Sequence, residues 1–384
     1  MMLRRSFARF LPVLLTLAML TGAALRAQDA PRSITFFLTF IPNIQFSPVY
    51  VAIEKGYFAE AGLDITLEHG DEPDGVNLIA AGERLFGMIS GEQVITARAN
   101  SRPVRFVYEW FQAYPVGVVV SGDGTIKSAA DLRGHKIGIP GPFGASYSGL
   151  IALLTANGLT EQDIQLESIG FNAPQVFCAG AVEASVIYVN NEPIQIGNLA
   201  ARGECGDVHG VSVLNVADFA DMVSNGIITN EDTIASEPEL VAQVVEAFHR
   251  GLSDVIANPA EAYLLSLGYV ESLPRSEALI DALESAAAAQ SGALEGGTAE
   301  ENAAARGALL TDLRTRFDAA DLLQLEILSS SIDLWEAPRL GYSDPESWQV
   351  TQDTLIQMGV IDVPIDLSAA YTNDFVPGEA ESSS

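Results

Sequence analysis

Hydrophobic and polar positions alternate in two rhythms along this chain, and the rhythms take turns. Residues 33–38 (SITFFL) form a β-like apolar run, followed by a turn carrying Pro42 and Asn43. Ser47 and Pro48 then read as an N-cap and first helical position, and Val49, Tyr50, Ala52 and Ile53 cover one face of a helix ending near Gly56. Runs at 63–68, 85–90, 104–110 and 116–121 read as strands, with helices expected at 74–81, started by Asp74, and at 91–99. A second unit follows, with strands at 136–139, 166–170, 184–189 and 211–216, and a strand at 226–229 then brings the chain back to the first unit. The helices of the second unit are expected at 148–157, after a loop at 141–147, and at 175–180. Beyond it the pattern is helical: a long amphipathic stretch at 236–258, then 259–267, 275–289 and 299–328. Such β/α alternation predicts mostly parallel sheets covered by helices, with no repeat of solenoid length. In open sheets of this kind a solute binds where a strand's carboxyl end passes into a helix, which draws attention to residues 39–56.

The N-terminus changes the setting. Arg4 and Arg5 precede an apolar run at 10–20 that is too short to span a bilayer, and small residues follow up to Ala27. Residues 1–27 therefore read as a signal peptide, and the mature protein as exported and soluble. The sequence Arg4-Arg5-Ser6-Phe7 faintly resembles a twin-arginine signal, and no cysteine near the cleavage site indicates a lipid anchor. Residues 376–384, acidic and Ser-rich, are expected to be a disordered tail. With 50 acidic residues against 20 basic ones and a net charge of −30, nucleic acid and anionic membranes are poor partners. The two cysteines, Cys178 and Cys205, are expected to be bridged in an exported protein, two buried thiols being the alternative. Without neighbouring histidines they make a poor metal site, and no metal or cofactor is expected.

Enzyme motifs are weak. Residues 138–144 (GIPGPFG) match neither dinucleotide nor P-loop fingerprints, although a backbone cradle at a helix N-terminus is as reasonable there as a tight turn. Ser146 and Ser148 make no GxSxG elbow. His69, His135, His209 and His249 lack metal-binding spacing, and the carboxylates are too dispersed to nominate a pair. What remains is a concentration of rings and amides at expected strand ends: Phe40, Asn43, Phe46 and Tyr50; Ser90, Gly91 and Glu92; Tyr108, Trp110, Phe111 and Tyr114. The second unit adds Phe143, Gly144, Ala145, Ser146, Tyr147, Tyr188, Asn190 and Glu192. Aromatic faces with a few directed polar groups suit a flat heterocycle.

Phe40-Ile41-Pro42-Asn43, residues 50–58 (YVAIEKGYF) and 61–65 (AGLDI) resemble the opening of exported solute-binding proteins related to the yeast thiamin-pyrimidine synthases. Residues 131–138 (DLRGHKIG) resemble the start of that family's second lobe, 141–147 its ligand loop, and 180–186 a third recurring segment. The resemblance implies an α/β protein with the type II periplasmic-binding-protein fold, two lobes joined by two hinge strands near 118–121 and 224–228. Lobe I would hold residues 28–121 and 225–375, and lobe II residues 122–224. It implies a monomeric periplasmic protein that delivers its solute to an ABC permease. Pyrimidine-binding members carry Trp at the position of Phe40 and His at that of Phe46, so this chain departs at both. The 144–147 loop and Tyr188-Val189-Asn190-Asn191-Glu192-Pro193 are similar to riboflavin-binding members, which favours riboflavin over formylaminopyrimidine. Sulfonates rank last, for want of an evident arginine.

From the rings and amides at the strand ends, ligand contacts are expected at Phe40, Asn43, Phe46, Tyr50, Ser90, Gly91, Trp110, Gly144, Ala145, Ser146, Tyr147, Tyr188, Asn190 and Glu192. Phe40, Phe46 and Trp110 would stack on the ring, Tyr147 and the 144–146 amides would close over it, and Glu192 and Asn43 would meet its edge. A pyrimidine-synthase-like enzyme is the competing class. It is disfavoured by the export signal and by a matched loop without cysteine or histidine.

Overall fold

The expected strands assemble into two sheets, and the order in which the chain visits them positions everything else. In the computed structural model, which describes residues 30–290 and 298–378, the first sheet contains β1 (Arg32–Thr39), β2 (Leu63–Gly70), β3 (Phe86–Ser90) and β4 (Val104–Glu109). The second contains β5 (Val116–Ser121), β6 (Lys136–Ile139), β7 (Gln165–Ser168), β8 (Ala184–Tyr188) and β9 (Val211–Asn215). The last strand, β10 (Asn225–Asn230), returns to the first sheet. Strand orders are β2-β1-β3-β10-β4 and β7-β6-β8-β5-β9. The expected signal peptide, residues 291–297 and residues 379–384 of the expected tail lie outside the described residues.

Each sheet is parallel except for one strand, which qualifies the expectation of mostly parallel sheets. β10 runs antiparallel to β3 and β4, and β5 antiparallel to β8 and β9. These are the two strands that arrive from the other half of the molecule. The chain changes sheets just ahead of each, at 110–115 and 216–224, so the positions expected for the hinges fall in β5 and at the start of β10. Residues 116–121, expected in the first lobe, lie in the second sheet between β8 and β9. Two neighbouring apolar runs carry no mark of which sheet each will join; here Pro115 separates them and the chain crosses.

Both faces of both sheets are covered. On β1, Ile34, Phe36 and Leu38 enter one core cluster while Phe37 enters the opposite one, as the two-residue period of a strand requires. Val116, Val118 and Val120 of β5 likewise face away from Val119. A short helix, Glu231–Ser236, precedes the long amphipathic helix expected at 236–258, which runs from Pro238 to Ala257 with Pro238 in its first turn. The long helix lays Val241, Val244, Val245, Phe248 and Leu252 on the first lobe, each burial stabilising by about 1.5–3 kcal/mol. Helix Ser47–Glu54 packs so closely on it that a Cβ at Gly251 would stand 2.2 Å from the Pro48 carbonyl oxygen.

The stretch expected as one helix at 299–328 is two, Ala299–Leu313 and Ala319–Trp335. Asp318 caps the second by accepting from the amides of Ala320 and Asp321. Cys178 and Cys205 are joined by a disulfide with their Cα atoms 4.2 Å apart. It closes a 27-residue separation beneath helix Glu192–Ala201, a constraint worth about 3–4 kcal/mol in the chain-entropy picture. Among the described residues no helix is long and apolar enough to cross a membrane.

Candidate ligand-binding site

The chain leaves β1 through Phe40, whose φ of 75° is left-handed and uncommon for a bulky side chain. Its amide donates to the Gly70 carbonyl at 3.1 Å, and its ring meets that of Phe171 edge-on, centroids 4.7 Å apart. Phe40 comes from the first lobe and Phe171 from the turn after β7, so this pair spans the gap between lobes. Asn43 then caps the short turn Ile44–Phe46, its Oδ1 accepting from the Gln45 amide at 3.0 Å and from Gln45 Nε2 at 3.2 Å. That grip leaves Gln45 Oε1 to accept from Asn190 Nδ2 across the lobes at 2.7 Å, and Asn190 Nδ2 also donates to Ser331 Oγ. Phe46 stands at the head of helix Ser47–Glu54 with its ring 5.7 Å from that of Trp110, which the end of β4 delivers.

The facing wall is built by the second sheet. Helix Gly144–Ala156 follows β6 and starts four residues earlier than the pattern predicts, with Gly144 in a left-handed conformation, φ 68°. Glu72, at the start of helix Glu72–Ala80, reaches across to it. One carboxylate oxygen accepts from the Ser90 amide at 2.7 Å and the other from the Ala145 amide at 2.9 Å. From β8, the Tyr188 hydroxyl donates to Asn225 Oδ1 at 2.8 Å, another bond between lobes. Glu192, at the start of the next helix, accepts from the Tyr188 amide at 2.9 Å and from Asn191 Nδ2 at 3.1 Å.

Between these walls lies a cleft of about 870 Å³, including its solvent-open mouth. Phe40, Phe46, Trp110, Phe111, Phe143 and Phe171 supply rings; Gln45, Glu72, Ser146, Asn191, Glu192 and Asn225 supply polar groups. No lysine, arginine, histidine or cysteine is among its lining residues. Enclosure in the cleft pushes Glu192 up to about 7, opposed by the Tyr188 amide. Burial also raises Glu72, against the two amides it accepts from. Burial, and then the charge of Glu72, raises Glu92 well above the carboxylate range. Neither Glu92 oxygen meets hydrogen-bond geometry, although the Ser90 hydroxyl lies beside both carboxyls. Among the described residues no group of three or more His, Cys, Asp or Glu could hold a metal ion.

Of the fourteen residues expected to contact the ligand, the structure brings Phe40, Phe46, Trp110, Gly144, Ala145, Ser146, Tyr188 and Glu192 to the cleft wall. Six others stand elsewhere. Asn43 is used up as a cap, and Tyr50 stacks on Tyr269 in the core, centroids 4.4 Å apart. Ser90 is fully buried with its amide on Glu72, and the Gly91 amide donates to the Ser224 carbonyl. Asn190 ties the lobes from beneath the cleft. The early start of helix Gly144–Ala156 turns Tyr147 outward, where its hydroxyl donates to Glu161. Sequence reasoning missed Gln45, Glu72, Phe171, Asn191 and Asn225. Phe171 carries the same sign that revealed Phe40, a ring in a strand-to-helix turn, here directly after Gly170. Glu72 carries none.

A profile of the NMT1/THI5-like family matches residues 43–262. The chain belongs to this family. Among its NMT1/THI5-like relatives, a riboflavin-binding protein of Chloroflexus aurantiacus is 32% identical over 92% of this chain and 88% of its own length. A formylaminopyrimidine-binding protein of Halalkalibacterium halodurans is 28% identical over 61% of this chain and 69% of its own. The solved alkanesulfonate-binding protein of Xanthomonas axonopodis pv. citri superposes with a TM-score of 0.51 at 14% identity, covering 75% of this chain and 96% of its own. The two-lobed architecture of this NMT1/THI5-like chain is thus the periplasmic-binding-protein fold.

Proposed function

We propose that this protein is the solute-binding component of an ABC importer, exported from the cytoplasm, and that its cleft captures riboflavin for delivery to a permease. The observation that carries the reading is the cleft itself, rings from both lobes facing one another with amides and two carboxyls at their edges and no cation among them. A tricyclic isoalloxazine offers two faces to rings such as Phe46 and Trp110, each favourable ring pair adding about 0.5–1.5 kcal/mol beyond area burial. Its edge alternates carbonyls with an N–H, which matches the amides of Asn191 and Asn225 and the carboxyl of Glu192.

The step is capture and closure. Contacts between the lobes, Phe40 to Phe171, Glu72 to Ala145, Asn190 to Gln45 and Tyr188 to Asn225, exist only when the halves are together. A ring held by both walls binds the closed state better than the open one and so shifts the population toward it. The closed shape is what a permease would recognise. No bond is made or broken, and a lining without histidine or cysteine supports binding over the synthase chemistry known in this family.

The second reading, a thiamin-precursor pyrimidine, draws on the 28% identical formylaminopyrimidine-binding relative. Phe40 and Phe46 count against it, since both departures from that pattern exchange polar reach for apolar ring surface. Isothermal titration of the purified protein with each ligand decides. Riboflavin is expected to bind and the pyrimidine to bind more weakly; the reverse order, or heat from neither, refutes the assignment.

A further inference from the structure

We propose that Glu72 is a specificity-determining residue: it fills the anion position of the cleft with the protein's own carboxylate, so that the cleft admits neutral ring solutes and rejects their anionic forms. The choice of ligands below rests on the flavin reading; the geometry does not.

The first turn of a helix presents backbone amides without intrahelical partners and the positive end of the helix dipole, and it attracts anions. Helix Gly144–Ala156 opens onto the cleft in this way, with Gly144, Ala145 and Ser146 in its wall. The place is taken. Glu72, 7% exposed, puts one oxygen 2.9 Å from the Ala145 amide and anchors the other on the Ser90 amide at 2.7 Å. Residue 144 must be glycine for this approach, since a Cβ there would stand 2.6 Å from the same Glu72 oxygen.

A second carboxyl completes the arrangement. Glu92 is fully buried beside Glu72, and neither of its oxygens meets hydrogen-bond geometry, the Ser90 hydroxyl and its own backbone amide lying beside it. Of the two, Glu72 accepts from two backbone amides, which favour its ionised form against burial, while burial and the neighbouring Glu72 carboxyl raise Glu92 well above the carboxylate range. The geometry places the charge of the pair on Glu72, and burial keeps Tyr114 and Tyr188, which face the pair, raised and neutral. A Glu72 carboxylate held in this way faces no lysine or arginine in the lining of the cleft. A phosphate brought within about 6–10 Å of Glu72 at an effective dielectric of about 20 would bind roughly 10–100-fold more weakly than its neutral parent.

Riboflavin and riboflavin 5′-phosphate are titrated against wild type, Glu72→Gln and Glu72→Ala, with thermal melts to establish folding. The ratio of the two affinities is read, because a weakened tie between lobes moves both ligands together. Wild type is expected to prefer riboflavin by at least about 10-fold, and both variants to lose most of that preference. An unchanged ratio in folded variants overturns the inference. Inorganic sulfate provides a readout free of the flavin. Glu72→Ala vacates the amides, so sulfate is expected to raise its melting temperature and to leave that of wild type unmoved. If no flavin binds but Glu72→Ala gains the sulfate response, the flavin reading falls and the role of Glu72 stands. If riboflavin binds while ratio and sulfate response stay as in wild type, the role of Glu72 falls and the flavin reading stands.

Discussion

Gly144→Ala separates backbone strain from closure of the lobes. An alanine at φ 68° carries the left-handed penalty of about 1–2 kcal/mol whether the lobes are open or closed. Its Cβ would also stand 2.6 Å from Glu72, which can escape only by giving up the Ala145 amide. A hydrogen bond to a charged group contributes about 1.5–3 kcal/mol, and this one joins the lobes, so its loss falls on the closed state alone. Ligand affinity scales with the population of the binding-competent state, so the dissociation constant should rise by roughly 10–150-fold. Gly158, at the other end of the same helix, is the control. It has the same φ of 68°, but a Cβ there meets nothing within 4 Å. Thermal melts of Gly144→Ala and Gly158→Ala should show similar losses from strain, while riboflavin titration should find weakened binding only in Gly144→Ala. Equal affinities in the two variants would refute the claim that Glu72 ties the lobes through Ala145.

Phe46→Ala removes a ring from the cleft wall and should weaken riboflavin binding by about 1–3 kcal/mol, read by calorimetry. Tyr147→Phe, whose hydroxyl meets only Glu161 on the outside, should leave that affinity within about 2-fold; a larger change would place Tyr147 on the ligand after all. Asn190→Ala cuts the bonds to Gln45 and Ser331, a loss of about 1–3 kcal/mol, and small-angle scattering of the ligand-free protein should show a larger radius of gyration than wild type. Glu192, raised to about 7, keeps its proton in the native state while the unfolded chain has lost it, so folding stability must fall as pH rises from about 4.5 to about 7. Since Glu192 is partly open to the cleft, the fall is at most about 3 kcal/mol. Glu109, raised to about 8, acts in the same direction over an overlapping range, so the test is urea unfolding of Glu192→Gln against wild type across that window. Parallel pH profiles would remove Glu192 as the cause.

The strand pattern was legible because β-branched and aromatic runs bounded by turns leave few alternatives; Lys136–Ile139 was found with its ends in place. Sheet membership was not, because the apolar side chains of β4 and β5 look alike while their partners lie far along the chain. Rings at strand ends that a turn holds, such as Phe40 and Phe46, line the cleft. Residues on helices were misjudged when the helix phase was wrong. Moving the start of one helix from Ser148 to Gly144 turns Tyr147 from ligand to surface. Asn43 was read for its amide and spends it on its own turn. Glu72 could not be found at all: it is one acidic residue among 50, and the amide that gives it meaning lies 73 positions on.

The central claim is that a flat, uncharged ring is enclosed between aromatic walls of both lobes. Riboflavin fluorescence tests it most directly, since stacking against aromatic side chains quenches the flavin. Titrating a fixed amount of riboflavin with the purified protein should extinguish its emission and reach an endpoint at one flavin per chain. Emission that stays at its free value in the presence of excess folded protein would contradict the account.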